Sequence, residues 1–439
     1  MKLRIAALVV YAACAVACSG GDFRPLPSEA QLAWQEMEYN MFCHFGPNTF
    51  TGREWGLGDE DPDIFNPTNL DCDQWVRTAI AAGMKGIIIT AKHHDGFCLW
   101  PSAYSTHTVA QSNWRGGEGD VLLELREACD AHDFPMGAYV SPWDRNHPAY
   151  GSESYNEIFA GTVDEVNSLY GPLFEQWFDG ANGGARIPDY DWPLFNSTVL
   201  RHNPDAVIFS DVGPGCRWVG NEAGRAGETN WCTITVDGFT PGAGAPPTEV
   251  LNCGSPDGTA WVPAECDVPL RDGWFDSSAN EGTQKSVEQL MAIWFSSVGR
   301  GANLLLNVAP DHTGRIPQAD SLRLMEFRAA REAYFAKPLA SAYGSRSAFR
   351  LFSARTSKTL RTDAPAKCIV LQEELRHGQN ISSFRVEARR GGAWETVAEG
   401  TTVGHKRILR FENDIPAGAF RVVVDESFAR PRIKSITIY

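Results

Sequence analysis

An aspartate that ends an apolar, aromatic run is the most reactive-looking residue in the chain. Trp177-Phe178-Asp179-Gly180 places a carboxylate directly after a strand-like segment, with a glycine that lets the backbone turn at once. A carboxylate so held is partly desolvated and rigidly aimed, as a nucleophile in glycoside cleavage must be. The plainer alternative is an Asp that caps the next helix. Retaining cleavage needs a second carboxyl about 5–5.5 Å away to protonate the leaving oxygen. Glu222, Glu228, Glu249, Glu265 and Glu281 all fall in what read as long loops, and spacing alone does not choose among them. Glu222 has Trp218 nearby, and an aromatic wall is one way to raise a carboxyl pKa. His44, His93 and His94 could ligate a metal, but neighbouring strand residues point to opposite faces, and zinc sites favour i,i+4 His pairs or Cys clusters. Imidazoles that hydrogen-bond sugar hydroxyls from the end of a strand fit better.

Such residues need a frame. Residues 30–335 alternate short apolar runs with amphipathic stretches, among them a helix over 71–85 and strands at 41–45, 86–90, 136–140, 176–178, 206–210 and 304–308. Continuous apolar strands alternating with helices predict a buried parallel sheet. About eight such units over about 300 residues favour a closed (β/α)8 barrel, a TIM-like α/β fold whose active sites lie at the C-terminal strand ends. The polar clusters fall at those ends, in strand after strand. Residues 212–285 are Gly- and Pro-rich and read as long loops over the barrel mouth, with Arg217 to Glu222 in the loop after the fifth strand. After Lys337-Pro338 the texture changes to short β runs separated by turns, as in Arg390-Gly391-Gly392, which predicts an all-β sandwich. The organisation is therefore a leader (1–18), a linker (19–29), a catalytic barrel (30–337) and a C-terminal sandwich (338–439).

Composition narrows the partners. The net charge of -15 and the lack of a Lys/Arg-rich run argue against nucleic acid. Fourteen Trp are available for packing and, in a minority, for stacking on sugar C–H faces. Lys2 and Arg4 precede an apolar stretch from Ile5 to Val16 that is too short to span a bilayer comfortably. Ala15-Val16-Ala17-Cys18, followed by a Gly/Ser stretch, resembles a bacterial lipoprotein signal. That resemblance implies export and a lipid anchor at Cys18, in the periplasm or on the outer membrane or cell surface. Ordinary secretory cleavage after Ala17 is the alternative. The eleven Cys, less Cys14 and Cys18, leave nine with no CxxC pair, which reads as mostly buried thiols.

Four motifs in order resemble the α-L-fucosidases of glycoside hydrolase family 29. They are Met41-Phe42-Cys43-His44-Phe45-Gly46, Ala91-Lys92-His93-His94-Asp95-Gly96-Phe97, Trp177-Phe178-Asp179-Gly180-Ala181 and Asn303 to Pro310. The resemblance covers nearly the whole mature chain, and Thr401 to Arg407 looks like the family's tail. It implies a fucosylated oligosaccharide or glycoconjugate as substrate, cleaved with retention, without a cofactor, with Asp179 as nucleophile. It implies that His44, Glu54, Trp55, His93, His94 and Trp274 line the fucose pocket. Ser210 to Glu222 and Trp261 to Phe275 look like the subgroup selective for α-1,3/1,4-linked fucose on Lewis-type glycans. In that subgroup the Glu of the Asn-Glu pair, here Glu222, is the acid/base, with Glu265 the second candidate. A glycan-binding protein without catalysis, a metal-dependent hydrolase using the His cluster, and a galactosidase are the competing readings.

Overall fold

The computed structural model describes residues 24–185, 187–344 and 356–439. The leader and Cys18 lie outside these residues. Among the described residues no helix is long and apolar enough to cross a membrane.

Eight strands close a barrel: β1 (Tyr39–Cys43), β2 (Ile87–Lys92), β3 (Met136–Val140), β4 (Leu173–Trp177), β5 (Val207–Ser210), β6 (Cys216–Trp218), β7 (Ala264–Pro269) and β8 (Asn303–Asn307). All eight pairings are parallel. Helix α1 (Glu29–Met37) precedes β1. Helices α2 (Cys72–Ala82), α3 (Val121–Ala131), α4 (Tyr155–Leu169) and α5 (Trp192–His202) follow β1 to β4 in turn. Helix α6 (Val287–Ser296) links β7 to β8, and α7 (Gln318–Tyr334) closes the ring. Each helix buries one stripe. In α2 the stripe includes Trp75, Val76 and Ala79, and Asp71 caps the N-terminus by accepting from Gln74 N at 2.8 Å.

Residues 212–285 are more ordered than their composition suggests. They carry two barrel strands, β6 and β7, and a two-stranded ribbon of Thr233–Ile234 with Ala260–Trp261. Arg217 and Trp218 therefore lie in a strand, not in a loop after the fifth. Between β5 and β6 there is no helix. Phe209 pairs with Cys216, so the chain backs up only slightly through 211–215 before pairing again. Short apolar strands flanked by glycine carry little periodicity, which is why they were not legible.

The barrel interior follows strict alternation. Phe42, Ile88, Tyr139, Trp177, Phe209, Cys216 and Leu305 form an inner cluster, sealed at the N-terminal strand ends by Trp34 of α1. The residues between them, such as Met41, Ile87 and Leu304, face the helices and join the outer core.

The C-terminal part has two four-stranded antiparallel sheets. One holds β9 (Ala340–Tyr343), β11 (Ala366–Glu373), β14 (Arg407–Ile415) and β16 (Ile433–Ile438). The other holds β10 (Thr356–Arg361), β12 (Ile381–Arg390), β13 (Ala393–Gly400) and β15 (Ala419–Ser427). Sequence reading missed β9, β10 and β13. β13 is mostly half-buried or exposed and carries no apolar run.

The sandwich is bonded to the barrel through buried polar groups. Gln379 accepts from Cys232 N at 2.7 Å and donates to Asn230 O at 2.9 Å. Glu38, at a left-handed φ of 60°, takes Lys406 Nζ at 2.5 Å and His405 Nε2 at 2.8 Å. Burial alone would raise the Glu38 carboxyl, but the charge of Lys406 and the His405 hydrogen bond overcome it and hold it at about 2. A depressed carboxyl stabilises the fold above its unfolded value of 4.5, and that contribution is lost as pH falls toward about 2. Glu38→Gln is expected to cost about 3 kcal/mol at pH 7 in urea unfolding. The difference from the parent should shrink as the pH is taken below the ordinary Glu range, and a difference unchanged at pH 3 would count against this account.

Candidate active site

At the C-terminal strand ends the inward positions become polar and enclose a cavity of about 290 Å³. Its wall carries His44, His93 and His94, four carboxyl groups (Asp179, Asp211, Glu222 and Asp267), and an aromatic floor of Phe42, Tyr139 and Trp177.

Asp179 follows β4 and stands in this cavity with its side chain 24% exposed. Tyr139 O–H donates to its Oδ2 at 3.1 Å, and Ala181 N donates to Oδ1 at 2.6 Å. It caps no helix: Asp191 does that for α5, accepting from Leu194 N at 3.0 Å. A Cβ at Gly180 would lie 2.9 Å from Asp211 Oδ2, so a larger residue there would have to push the Asp211 carboxyl aside.

Glu222 lies in the loop after β6, exposed on its outer side. Its pKa is raised by burial of its inner side and by the charge of Asp179, against a lowering hydrogen bond from Trp274. Its hydrogen-bonded aromatic partner is Trp274, whose Nε1 donates to Oε2 at 3.3 Å. Trp218 instead donates to Asp267 at 2.9 Å.

The three imidazoles are held neutral. Burial lowers His44 to about 3 and His93 well below its ordinary value. It also lowers His94, against the charge of Asp179. The Asn307 amide donates to Trp274 O at 2.7 Å, so its oxygen faces His44 Nδ1 at 2.9 Å. His44 Nδ1 therefore carries the proton and Nε2 is an acceptor. Ser141 O–H is spent on Trp143 O at 2.9 Å, so the hydroxyl oxygen accepts from His94 Nδ1 at 2.8 Å. His94 Nε2, also an acceptor, lies 3.9 Å from Asp179 Oδ2.

Trp55 is 53% exposed and stands edge-on to Trp143, ring centroids 5.3 Å apart, at the cavity rim. Trp274 stacks obliquely on His44 at 4.9 Å. Glu54 is not on the cavity wall. It sits behind Trp274 and accepts from its backbone N at 3.0 Å, an approach open because Gly273 has no Cβ to collide with Glu54 Oε1. Glu265 is a clear departure from the sequence reading. It belongs to β7, is fully buried and accepts from Trp177 Nε1 at 3.0 Å beneath the cavity, so it faces no leaving group. Glu228, Glu249 and Glu281 do not line the cavity either.

Three polar cavity residues escaped sequence reasoning: Tyr139, Asp211 and Asp267. Tyr139 and Asp267 keep inward alternation on β3 and β7, and Asp211 directly follows β5, so correct strand registers would have exposed them. Asp211 is raised to about 6 by burial, and its Oδ1 has no hydrogen-bond partner. Asp267 is raised well above its ordinary value by burial and then by the charge of Glu222. The only metal-like cluster among the described residues is Glu175, Cys216 and Glu265, and it does not include the histidines.

A family model described as alpha-L-fucosidase matches residues 29–329. The chain belongs to the α-L-fucosidases of glycoside hydrolase family 29, a retaining family. The fucosidase is 40% identical to alpha-L-fucosidase 1 of Arabidopsis thaliana over 94% of this chain and 87% of the relative. It resembles the solved structure of a glycoside hydrolase 29 family member from a rumen bacterium, at TM-score 0.86 and 38% identity, over 94% of this chain and 77% of the other. A Ruminococcus gnavus family 29 fucosidase, solved in complex with fucose, superposes at TM-score 0.84 with 30% identity, covering 94% and 95% of the two chains. The activity is therefore hydrolysis of α-L-fucosides, and the substrate contains fucose.

Proposed function

We propose that this enzyme releases terminal fucose linked α-1,3 or α-1,4 on branched, Lewis-type glycans, with Asp179 as nucleophile and Glu222 as acid/base. The observation that carries the catalytic part is that both carboxyls open onto one small cavity. Asp179 is fixed there by Tyr139 and Ala181, and Glu222 has a raised pKa.

Fucose lies with its C–H face and methyl on the aromatic floor. His44 Nε2 and His94 Nε2 accept hydrogen bonds from its hydroxyls. Asp179 attacks the anomeric carbon, and Glu222 gives its proton to the departing glycan oxygen. In the second step Glu222 takes a proton from water, which opens the ester on Asp179. The linkage part rests on the two subgroup-like stretches, and both reach the cavity. They supply Trp218, Glu222, Asp267 and Trp274 to its lining, and in this reading the leaving glycan departs past Glu222. Export on a lipid anchor at Cys18 belongs to the same reading and rests on the leader's residue pattern.

The test is a panel of α-1,2-, α-1,3- and α-1,4-fucosylated oligosaccharides beside an aryl fucoside. At least about a tenfold advantage in kcat/KM for the 1,3 and 1,4 linkages over 1,2 is expected. Equal rates, or a preference for 1,2, would reject the linkage assignment.

A further inference from the structure

One layer below the cavity floor, two carboxyl groups face each other inside the barrel. Glu175 of β4 and Glu265 of β7 are both fully buried. Each gives one oxygen to an indole: Trp34 Nε1 donates to Glu175 at 2.7 Å, and Trp177 Nε1 donates to Glu265 at 3.0 Å. One carboxylate oxygen of each and the Cys216 sulfur lie within 4.8 Å of one another. The thiol reaches Glu175 Oε1 at 3.7 Å, and Glu265 Oε1 is left without a donor. Their hydrogen-bond partners are thus two indoles and a thiol, none of them a cation. Two like charges in a closed apolar interior cannot both persist. One proton between the facing oxygens removes a charge and satisfies Glu265 Oε1 in the same step.

We propose that Glu175 and Glu265 hold one proton between them and act as a positioning pair for the active site, working through Trp177. Burial favours the protonated form of both carboxyls, and for Glu265 the neighbouring Glu175 charge adds to it. The tethered Trp177 ring stacks on Phe209 at 3.7 Å and on Tyr139 at 5.3 Å. Tyr139 in turn donates to Asp179, which sits two residues beyond Trp177, just past the end of β4. The pair therefore sets the height of the cavity floor and the aim of the Asp179 carboxylate. The kinetic consequence rests on the reading of Asp179 as nucleophile.

Three variants and one spectrum test it. Glu265→Gln keeps an acceptor for Trp177 and supplies an N–H to Glu175, so kcat should stay within about threefold of the parent. Glu265→Leu removes both. Misplacement of this kind should lower kcat on an aryl fucoside about 10- to 100-fold while KM changes less than about threefold. If the Leu variant does not fold, Trp177→Phe, which keeps a ring but loses the N–H, is expected to show the same kcat loss. The infrared difference between parent and Glu265→Gln at neutral pH should contain the C=O stretch of a protonated carboxylic acid, and the same band should persist in Asp179→Asn. Parental kcat in the Leu or Phe variant, absence of the band, or one tightly bound divalent metal per purified chain would each overturn the proposal. The band does not depend on turnover, so it separates failure of the pair from failure of the nucleophile assignment.

Discussion

Asp179→Asn is expected to lower kcat on every fucoside by about 10⁴-fold or more, the order seen when the nucleophile of a double-displacement hydrolase is removed. That factor corresponds to about 5.5 kcal/mol of lost transition-state stabilisation. The amide cannot form the ester, and it brings no charge to the developing oxocarbenium ion. It keeps the shape of the side chain, and its oxygen can still accept from Ala181 N or Tyr139 O–H. The thermal midpoint should therefore move little, and fucose binding by calorimetry should survive. Asp179→Gly with added azide should yield β-L-fucosyl azide, because azide then attacks from the side the carboxylate occupied. A fluorinated fucosyl inactivator should label Asp179 in the parent once per chain. Normal turnover in Asp179→Asn, or a label on another residue, would reject the role.

Glu222→Ala should separate substrates by their leaving groups. On natural glycans kcat/KM should fall about 10²- to 10⁴-fold, the usual worth of a positioned general acid. An aryl fucoside whose phenolate leaves unaided should form its fucosyl-enzyme at nearly the parental rate and then hydrolyse slowly. Azide should relieve that second step and give α-L-fucosyl azide, the anomer opposite to that of the nucleophile variant. The pH dependence has a definite sign. A general acid works only while protonated, so kcat/KM falls as pH rises through the Glu222 pKa. Desolvation and the Asp179 charge place that pKa above the ordinary Glu value of 4.5. The alkaline limb should vanish in Glu222→Ala assayed on the aryl substrate. Asp211, raised to about 6, and Asp267, raised well above its ordinary value, share the cavity and could mimic this limb, and Asp211→Asn and Asp267→Asn resolve them from Glu222. A limb that disappears in Asp211→Asn and persists in Glu222→Ala would assign the acid to Asp211.

Much of the cavity wall was legible because inward positions at barrel strand ends follow local rules. An apolar strand ends, and the next inward residue is polar. His44, His93, His94 and Asp179 all obey that pattern, and the sequence shows each of them directly behind its apolar run. The (β/α) repeat and the β texture after residue 338 were equally visible, since period 3.6 and period 2 are properties of short windows.

What stayed hidden depends on contacts between residues far apart in the chain. Glu265 reads as a loop acid because β7 lies in a Gly- and Pro-rich stretch, and only its pairing with β6 and β8 turns it into the barrel interior. Glu54 reads as a pocket residue, yet the turn at Gly273 places it behind Trp274. Asp211 and Asp267 become cavity groups only when β6 pairs on one side with β5 and on the other with β7. Residue types and their local period determined the fold class, the polar strand ends and the strand-end Asp179. Tertiary structure decided which carboxyls meet in one cavity and which are sealed beneath it, because burial and the charge of a neighbour, which set a carboxyl's protonation, are properties of the closed barrel and not of any segment.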